Sequence, residues 1–304
     1  MEYVLQTQGL SKHYRRSKAL DGLTMGVPKG TIYGLVGKNG AGKTTLIRLI
    51  CGLQEPTSGS YRLYGIPNDR KEILGIRRRM GAMVETPSIY LNMSARENLE
   101  QQALILGLPS MNGLGELMEL VGLKDAGAKK ARHFSLGMKQ RLGLAVALVG
   151  DPDFLVLDEP TNGLDPQGIV DMRELILKLN RERQVTFLIS SHILGELSQT
   201  ATYYGIIDQG RMVKELSAEE LEKICRKRSI LRVTDTAAMA QTLDGMDVEY
   251  KILSDTEAEF YAKVNITQLA AALSKAGCEI LDLHEKDESL ESYFLSLVGG
   301  EQHA

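Results

Sequence analysis

The sequence has few cysteines, no excess of basic charge and no long apolar run, and each shortage removes a class of function. Its three cysteines, Cys51, Cys225 and Cys278, lie far apart and form no CxxC pair. That spacing argues against a disulfide framework or a zinc site and fits a reducing compartment. The net charge of −3 carries no sign of a nucleic-acid footprint. The basic clusters Arg77–Arg79 and Lys129–His133 are short and read as solvated faces. No apolar stretch approaches the ~18 residues needed to span a bilayer. The longest, LGLAVALVG, stops at Asp151-Pro152. The opening residues MEYVLQTQ are too polar for a signal peptide. A role at a membrane would therefore need another chain to supply the span. No internal repeat or low-complexity segment is evident.

What is present is an ordinary globular composition, 43% hydrophobic and 25% charged over 304 residues. That length fits about two domains. Within it, the run GLVGKNGAGKTTLIRLI, Gly34 to Ile50, fits G-x-x-x-x-G-K-[ST] through Gly37, Gly42, Lys43 and Thr44. The β-branched segment TIYGLVG precedes it, and KTTLIRLICGL follows with apolar residues at helical spacing. The loop thus lies between a predicted strand and a predicted helix, the context a phosphate-binding loop requires. Glycines let backbone N–H groups close around phosphate oxygens, and the helix N-terminus adds partial positive charge. Lys43 is expected to reach the β- and γ-phosphates and Thr44 to offer its hydroxyl to Mg²⁺.

Along the chain, YVLQTQGL, ALDGLTMGV and TIYGLVG read as strands separated by SKHYRRSK and PKG. YRLYG reads as a further strand. Residues 86–150 are expected to be mostly helical, and Ser94–Glu97 has the form of a capping box. From residue 153 strand and helix alternate: FLVLDE, PQGIVDMRELILKLNRE, VTFLISSH and TYYGIID. This alternation predicts an α/β fold with a buried parallel sheet and helices on both faces. The segment SAEELEKICRKR, from Ser217, is expected to close a first domain at about residue 225. Residues 226–304 then read βαββαβα, the pattern of a small α+β, split-βαβ sandwich.

Asp158 and Glu159 end an apolar strand, where ligands bind in open α/β sheets. One carboxylate there suits Mg²⁺, and the other suits a water poised for in-line attack. By themselves the two acids fit a turn before Pro160 equally well; the phosphate loop upstream favours the functional reading. His192 leaves the same sheet edge, placed to reach a γ-phosphate, although a lone histidine there is more often structural. In HFSLGMKQRLGLAVAL, Ser135 can cap the following helix and Gly137 permits close approach to a second anion site. A plain capped helix has the same spacing.

In order and motif, residues 3–225 resemble the ATP-binding cassette family, the motor subunits of ABC transporters. GKNGAGKT resembles the Walker A motif, and FSLGM (134–138) the signature usually written LSGGQ. FLVLDE resembles the Walker B motif, NGLD (162–165) the D-loop, and SSH the switch-histidine loop. Tyr14 matches the aromatic that stacks on adenine; without the resemblance it reads as an ordinary strand tyrosine. The resemblance implies a P-loop NTPase core with an antiparallel β subdomain and a helical subdomain at about 86–150. It implies ATP held by Gly37, Asn39, Gly40, Ala41, Gly42, Lys43, Thr44 and Thr45. It also implies a head-to-tail dimer in which Ser135 and Gly137 of one copy cap the γ-phosphate held by the other. Glu159 would then be the base, His192 a γ-phosphate contact and Asp165 a residue communicating across the interface. Thr44, Asp158 and Glu85 would serve Mg²⁺. The implied partners are a second ATP-binding subunit and an integral-membrane permease. The implied location is cytoplasmic, peripheral on the inner face of the cell membrane.

Three positions depart from the common family form. Leu136 stands where Gly is usual, Met138 where Gln is usual, and Glu85 where Gln is usual. Glu keeps a hard oxygen ligand but adds charge and loses the amide donor. Glu85, the SLGM signature and the tail ESLESYFLSLVGG together are similar to ATPases of bacitracin- and lantibiotic-type exporters and immunity transporters. The competing expectation is a soluble ABC ATPase acting on DNA or ribosomes. Against it stand a single cassette, no long heptad insertion and no basic surface.

Overall fold

The computed structural model describes residues 2–15, 17–225, 228–246, 248–260, 265–286 and 290–298. The chain divides into two compact units, Met1–Ala218 and Glu219–Ala304. The division falls at the start of the helix that the sequence reading used to close the first domain at about 225. The last turn of that expected helix (226–227), the end of the expected strand EAEFYAKV (261–264) and the tail glycines (299–300) lie outside the described residues.

The first unit opens with β1 (Tyr3–Tyr14), β2 (Ser17–Pro28) and β3 (Ile32–Val36), followed by α1 (Lys43–Ile50). Next come β4 (Ser58–Leu63), β5 (Ile66–Pro67), α2 (Ile73–Ile76) and β6 (Met80–Met83). The helices α3 (Ala95–Leu106), α4 (Leu114–Leu120) and α5 (Leu136–Leu148) follow. The unit continues through β7 (Phe154–Asp158), α6 (Pro166–Arg183), β8 (Thr186–Ser191), α7 (Leu194–Leu197), β9 (Tyr203–Asp208) and β10 (Arg211–Ser217). One sheet has the order β2-β1-β4-β5, with antiparallel pairing throughout. The other has the order β10-β9-β3-β8-β7-β6, parallel except for the β9–β10 hairpin. Every residue of β3, β7 and β8 is buried, so both faces of the parallel sheet are covered.

Several elements differ from expectation. SKHY is not a connection; it extends β1 to Tyr14, and the β1–β2 pairing runs to Tyr14↔Ser17. Register shifts between Thr7 and His13 break the apolar alternation that marks a strand in sequence. Strands β6 and β10 were not anticipated: β6 is four residues long, and β10, at the sheet edge, buries only Leu216. The expected capping box is complete. Ser94 Oγ accepts from Glu97 N, and Ser94 N donates to the Glu97 carboxylate at 2.5 Å.

The second unit contains most of α8 (Ala218–Ile224), then β11 (Arg228–Val233), α9 (Thr236–Asp244), β12 (Tyr250–Ile252) and β13 (Glu257–Phe260). It ends with α10 (Ile266–Lys275), β14 (Ile280–Lys286) and α11 (Leu290–Val298). From β11 onward the element order is the expected βαββαβα. The sheet order β12-β13-β11-β14, antiparallel at each step, is that of a split βαβ sandwich. Its core is Leu231, Val233, Met239, Leu243, Phe260, Leu269 and Leu273 with smaller neighbours.

Candidate functional site

The phosphate loop is built where β3 runs into α1. Gly42 caps α1 with φ of 109°, a conformation closed to side chains; an added Cβ would also lie 2.5 Å from the Ala19 carbonyl. The loop is fixed from behind: Gly37 N donates to Ser191 O at 3.3 Å and Gly210 N to Ala41 O at 2.9 Å. Lys38, Asn39 and Gly40 are exposed, whereas Ala41 is buried. Thr44 and Thr45 are half-buried in the first turn of α1, and the Thr44 hydroxyl makes no hydrogen bond among the described residues. Lys43 is only 5% exposed, with its ammonium folded back on the loop. Nζ donates to Gly37 O at 2.7 Å and lies 3.3 Å from Glu159 Oε1.

Glu159 follows β7 with a left-handed φ of 50°, a strained conformation for this residue. Its amide is held by Ser190 O at 3.2 Å and Ser190 Oγ at 3.0 Å. Its other carboxylate oxygen, Oε2, lies 2.5 Å from His192 Nδ1. With the proton on Nδ1, His192 presents Nε2 as the remaining ring nitrogen. Asp158 is 1% exposed; Oδ1 accepts from Ser190 Oγ at 2.5 Å, and Oδ2 is buried with no hydrogen-bond partner. An orphaned buried carboxylate oxygen costs free energy unless a cation or donor meets it. Together with the unengaged Thr44 hydroxyl, it is the donor set that Mg²⁺ at a phosphate loop takes, through oxygen ligands and water. These residues fit the ion.

Thus the fold brings Lys43, Asp158, Glu159 and His192 together at the C-terminal edge of the parallel sheet. Tyr14, Glu85, Ser135 and Asp165 share no hydrogen bond or ion pair with this cluster among the described residues. Tyr14 is 38% exposed; its hydroxyl donates to Gln54, and Lys12 Nζ stands 5.5 Å from the ring centre. Glu85 takes a φ of 61° and, with Thr86 N donating to Val84 O at 2.8 Å, forms a tight three-residue turn. Its carboxylate pairs with Arg48 on α1 at 2.5 Å, and no hydrogen bond or ion pair joins it to Thr44 or Asp158. Ser135 caps α5 by accepting from Met138 N at 3.2 Å. Asp165 caps α6 by accepting from Gly168 N at 3.0 Å. Both are exposed. A Cβ at Gly137 would meet only Leu164 Cδ2, at 3.8 Å, so the chain's own packing leaves that glycine open.

Ser190 was missed in the sequence, although it binds both acidic residues. The signal was parity: in the β7–β8 ladder Asp158 pairs with Ser190, so the serine before SH faces the same rung. Arg48, which neutralises Glu85, carried no signal of its own.

A phosphate loop, a buried lysine, a paired acid and histidine, and an orphaned aspartate oxygen define a P-loop nucleotide hydrolase. Comparison with known proteins narrows this class. The family described as ABC transporter matches residues 20–162. The bacitracin transport ATP-binding protein BcrA of Bacillus licheniformis is 42% identical over 99% of this chain and 99% of its own. The lantibiotic transport ATP-binding protein SrtF of Streptococcus pyogenes is 40% identical over 73% of this chain and 95% of its own. A solved ATP-binding subunit of an ABC transporter shares 29% identity over 73% of this chain and 92% of that one, with a TM-score of 0.64. A bacterial ABC transporter cassette solved as a dimer has the same fold: 24% identity, 70% and 98% coverage, TM-score 0.64. The chain belongs to the ATP-binding subunits of the ABC transporter family, which hydrolyse ATP. These relatives do not favour the DNA- or ribosome-linked reading.

Proposed function

We propose that this chain powers the export of peptide antibiotics, or similar amphiphiles, or resistance to them. It works as a head-to-tail homodimer on a separate membrane permease. It lies in the cytoplasm against the inner face of the membrane; among the described residues no helix is long and apolar enough to cross one. The transport class is supported by the full-length likeness to a protein named for bacitracin transport. Residues from about 226 onward form an accessory domain of this motor.

The observation that carries the mechanism is the grip of Lys43 and His192 on the two oxygens of Glu159. A phosphate on the loop competes with Glu159 for the Lys43 ammonium. Lys43 then neutralises charge on the β- and γ-phosphates, and Glu159 is released on that side to accept a proton from water. The water attacks the γ-phosphorus in line; the bond to the bridging oxygen breaks, giving ADP and phosphate. His192 holds Glu159 through Nδ1 and turns Nε2 to the γ-phosphate. Asn39, Gly40, Ala41 and Thr45 wrap the phosphates, and Tyr14 takes the adenine. Thr44 and Asp158 would hold Mg²⁺, which would supply charge neutralisation to the phosphates. Glu85 senses metal and permease, its charge offset by Arg48. Ser135 and Gly137 close over the partner copy's nucleotide, and Asp165 reports across the interface.

The test is Mg-ATP hydrolysis by the full chain and by Glu159→Gln. Removing a general base lowers turnover roughly 10²–10⁴-fold. A much smaller drop removes Glu159 from that role.

A further inference from the structure

Three successive ties join the end of β7 and the residues that follow it to the end of β8 and the residues that follow it. Ser190 Oγ donates to Asp158 Oδ1 at 2.5 Å. His192 Nδ1 meets Glu159 Oε2 at 2.5 Å. Thr161 Oγ1 donates to Glu196 Oε2 at 2.7 Å. The first two ties belong to the catalytic cluster. The third uses residues outside the phosphate, acid and histidine motifs.

Its position gives it a consequence. Thr161 is the residue at which the chain leaves Glu159-Pro160 and enters the loop 162–165, which ends at the helix cap Asp165. Glu196 lies on α7, the single turn that begins two residues after His192. Both side chains are half-buried, where a hydrogen bond to a carboxylate is stronger than at a wet surface. A cavity of about 30 Å³ beside the pair, lined also by Arg173 and Thr200, has room for a water but no large occupant. The loop itself has few other anchors: Asn162 N donates to Glu159 O at 3.1 Å and Leu164 N to Thr161 O at 3.1 Å, both local turns. Among the described residues, the Thr161–Glu196 bond is the side-chain tie from this stretch to the histidine segment beyond Glu159 itself.

We propose that Glu196 is a positioning residue that acts through Thr161, fixing the D-loop to the helix that follows the switch histidine. A displacement of His192 at the γ-phosphate then carries α7, Glu196, Thr161 and the loop 162–165 as one body. Nucleotide sensing and the placement of Asp165 become a single event. This rests on the proposed function, because it assumes that His192 meets the γ-phosphate and that Asp165 faces a second copy.

The test uses four variants of the full chain. Thr161→Val and Glu196→Leu remove the bond; Thr161→Ser and Glu196→Gln retain a donor and an acceptor. Turnover at saturating Mg-ATP, affinity for a fluorescent ATP analogue and thermal midpoint are measured for each. We expect Thr161→Val and Glu196→Leu to lower turnover about fivefold or more, with affinity changed by less than about twofold. Combining them should give no more than the larger single loss, and the two conservative variants should stay near wild type. A merely structural role would move affinity and thermal midpoint along with turnover. The proposal is overturned if either bond-breaking variant keeps wild-type turnover, if their losses multiply, or if the conservative variants fall as far. Glu159→Gln, run alongside, separates the two claims. If it stays active, the reading of the site fails; if it is inactive while Thr161→Val is normal, only the role of Glu196 fails.

Discussion

The two units of this chain spend their buried polar groups differently. In the first, Lys43, Asp158, Ser190 and Ser191 are buried around one sheet edge, and Asp158 Oδ2 stays unpaired there. In the second, among the described residues, the one buried polar side chain is Glu259; the interior is otherwise Leu, Val, Met, Phe, Ala and Cys. Buried polar groups that are incompletely satisfied cost stability, so they mark where a fold gives up stability for chemistry. The first unit has such atoms at Asp158 and also at Arg77 Nε and Gln140 Oε1, and of these Asp158 adjoins the phosphate-loop cluster; the core of the second is apolar. The lantibiotic-transport relative aligns over 73% of this chain and 95% of its own, a share close to the size of the first unit.

This contrast can be broken most sharply in the second unit. Leu269 is fully buried on α10, and Leu269→Ala should destabilise that unit by about 2–5 kcal/mol. ATP hydrolysis should stay within about twofold of wild type, because every residue assigned to the nucleotide site belongs to the first unit. Thermal unfolding and turnover on the same sample check this; a collapse of turnover would make the second unit part of the motor. Ser190→Ala is the matching change in the first unit. It leaves Asp158 Oδ1 without its donor, costing about 1–3 kcal/mol, and it lowers turnover as well. The smallest effect is expected at Glu97. Lys130 foremost, then the Ser94 amide and hydroxyl, hold its carboxyl at about 2 instead of 4.5. That contribution is complete above about pH 4.5 and vanishes as pH falls through about 2. The thermal midpoint of Glu97→Ala should fall below wild type at neutral pH, and the gap should close toward pH 2.

The contrast also explains what could be read from sequence. The second unit was legible almost element by element, because its helices and strands keep regular apolar periods and its turns are short. The phosphate loop and the DE pair were legible because their chemistry needs fixed spacing within one segment. Ser190 and Glu196 were not, because their partners Asp158 and Thr161 lie on another segment and are chosen by strand register. SKHY was misread because bulges shift the side-chain alternation that a strand otherwise shows. Strand β10 escaped notice because an edge strand can be polar along most of its length. The Arg48 partner of Glu85 was equally illegible, because that ion pair joins α1 to a turn 37 residues further along the chain.

The open glycine at 137 and the exposed caps Ser135 and Asp165 are explained if a second copy covers them. The most direct test is the assembly state of Glu159→Gln, in which loss of the proposed base should leave bound ATP uncleaved, measured by light scattering with and without Mg-ATP. A dimer that forms with ATP and is lost when Ser135→Arg is added is the predicted result. A chain that binds ATP yet stays monomeric would contradict the account.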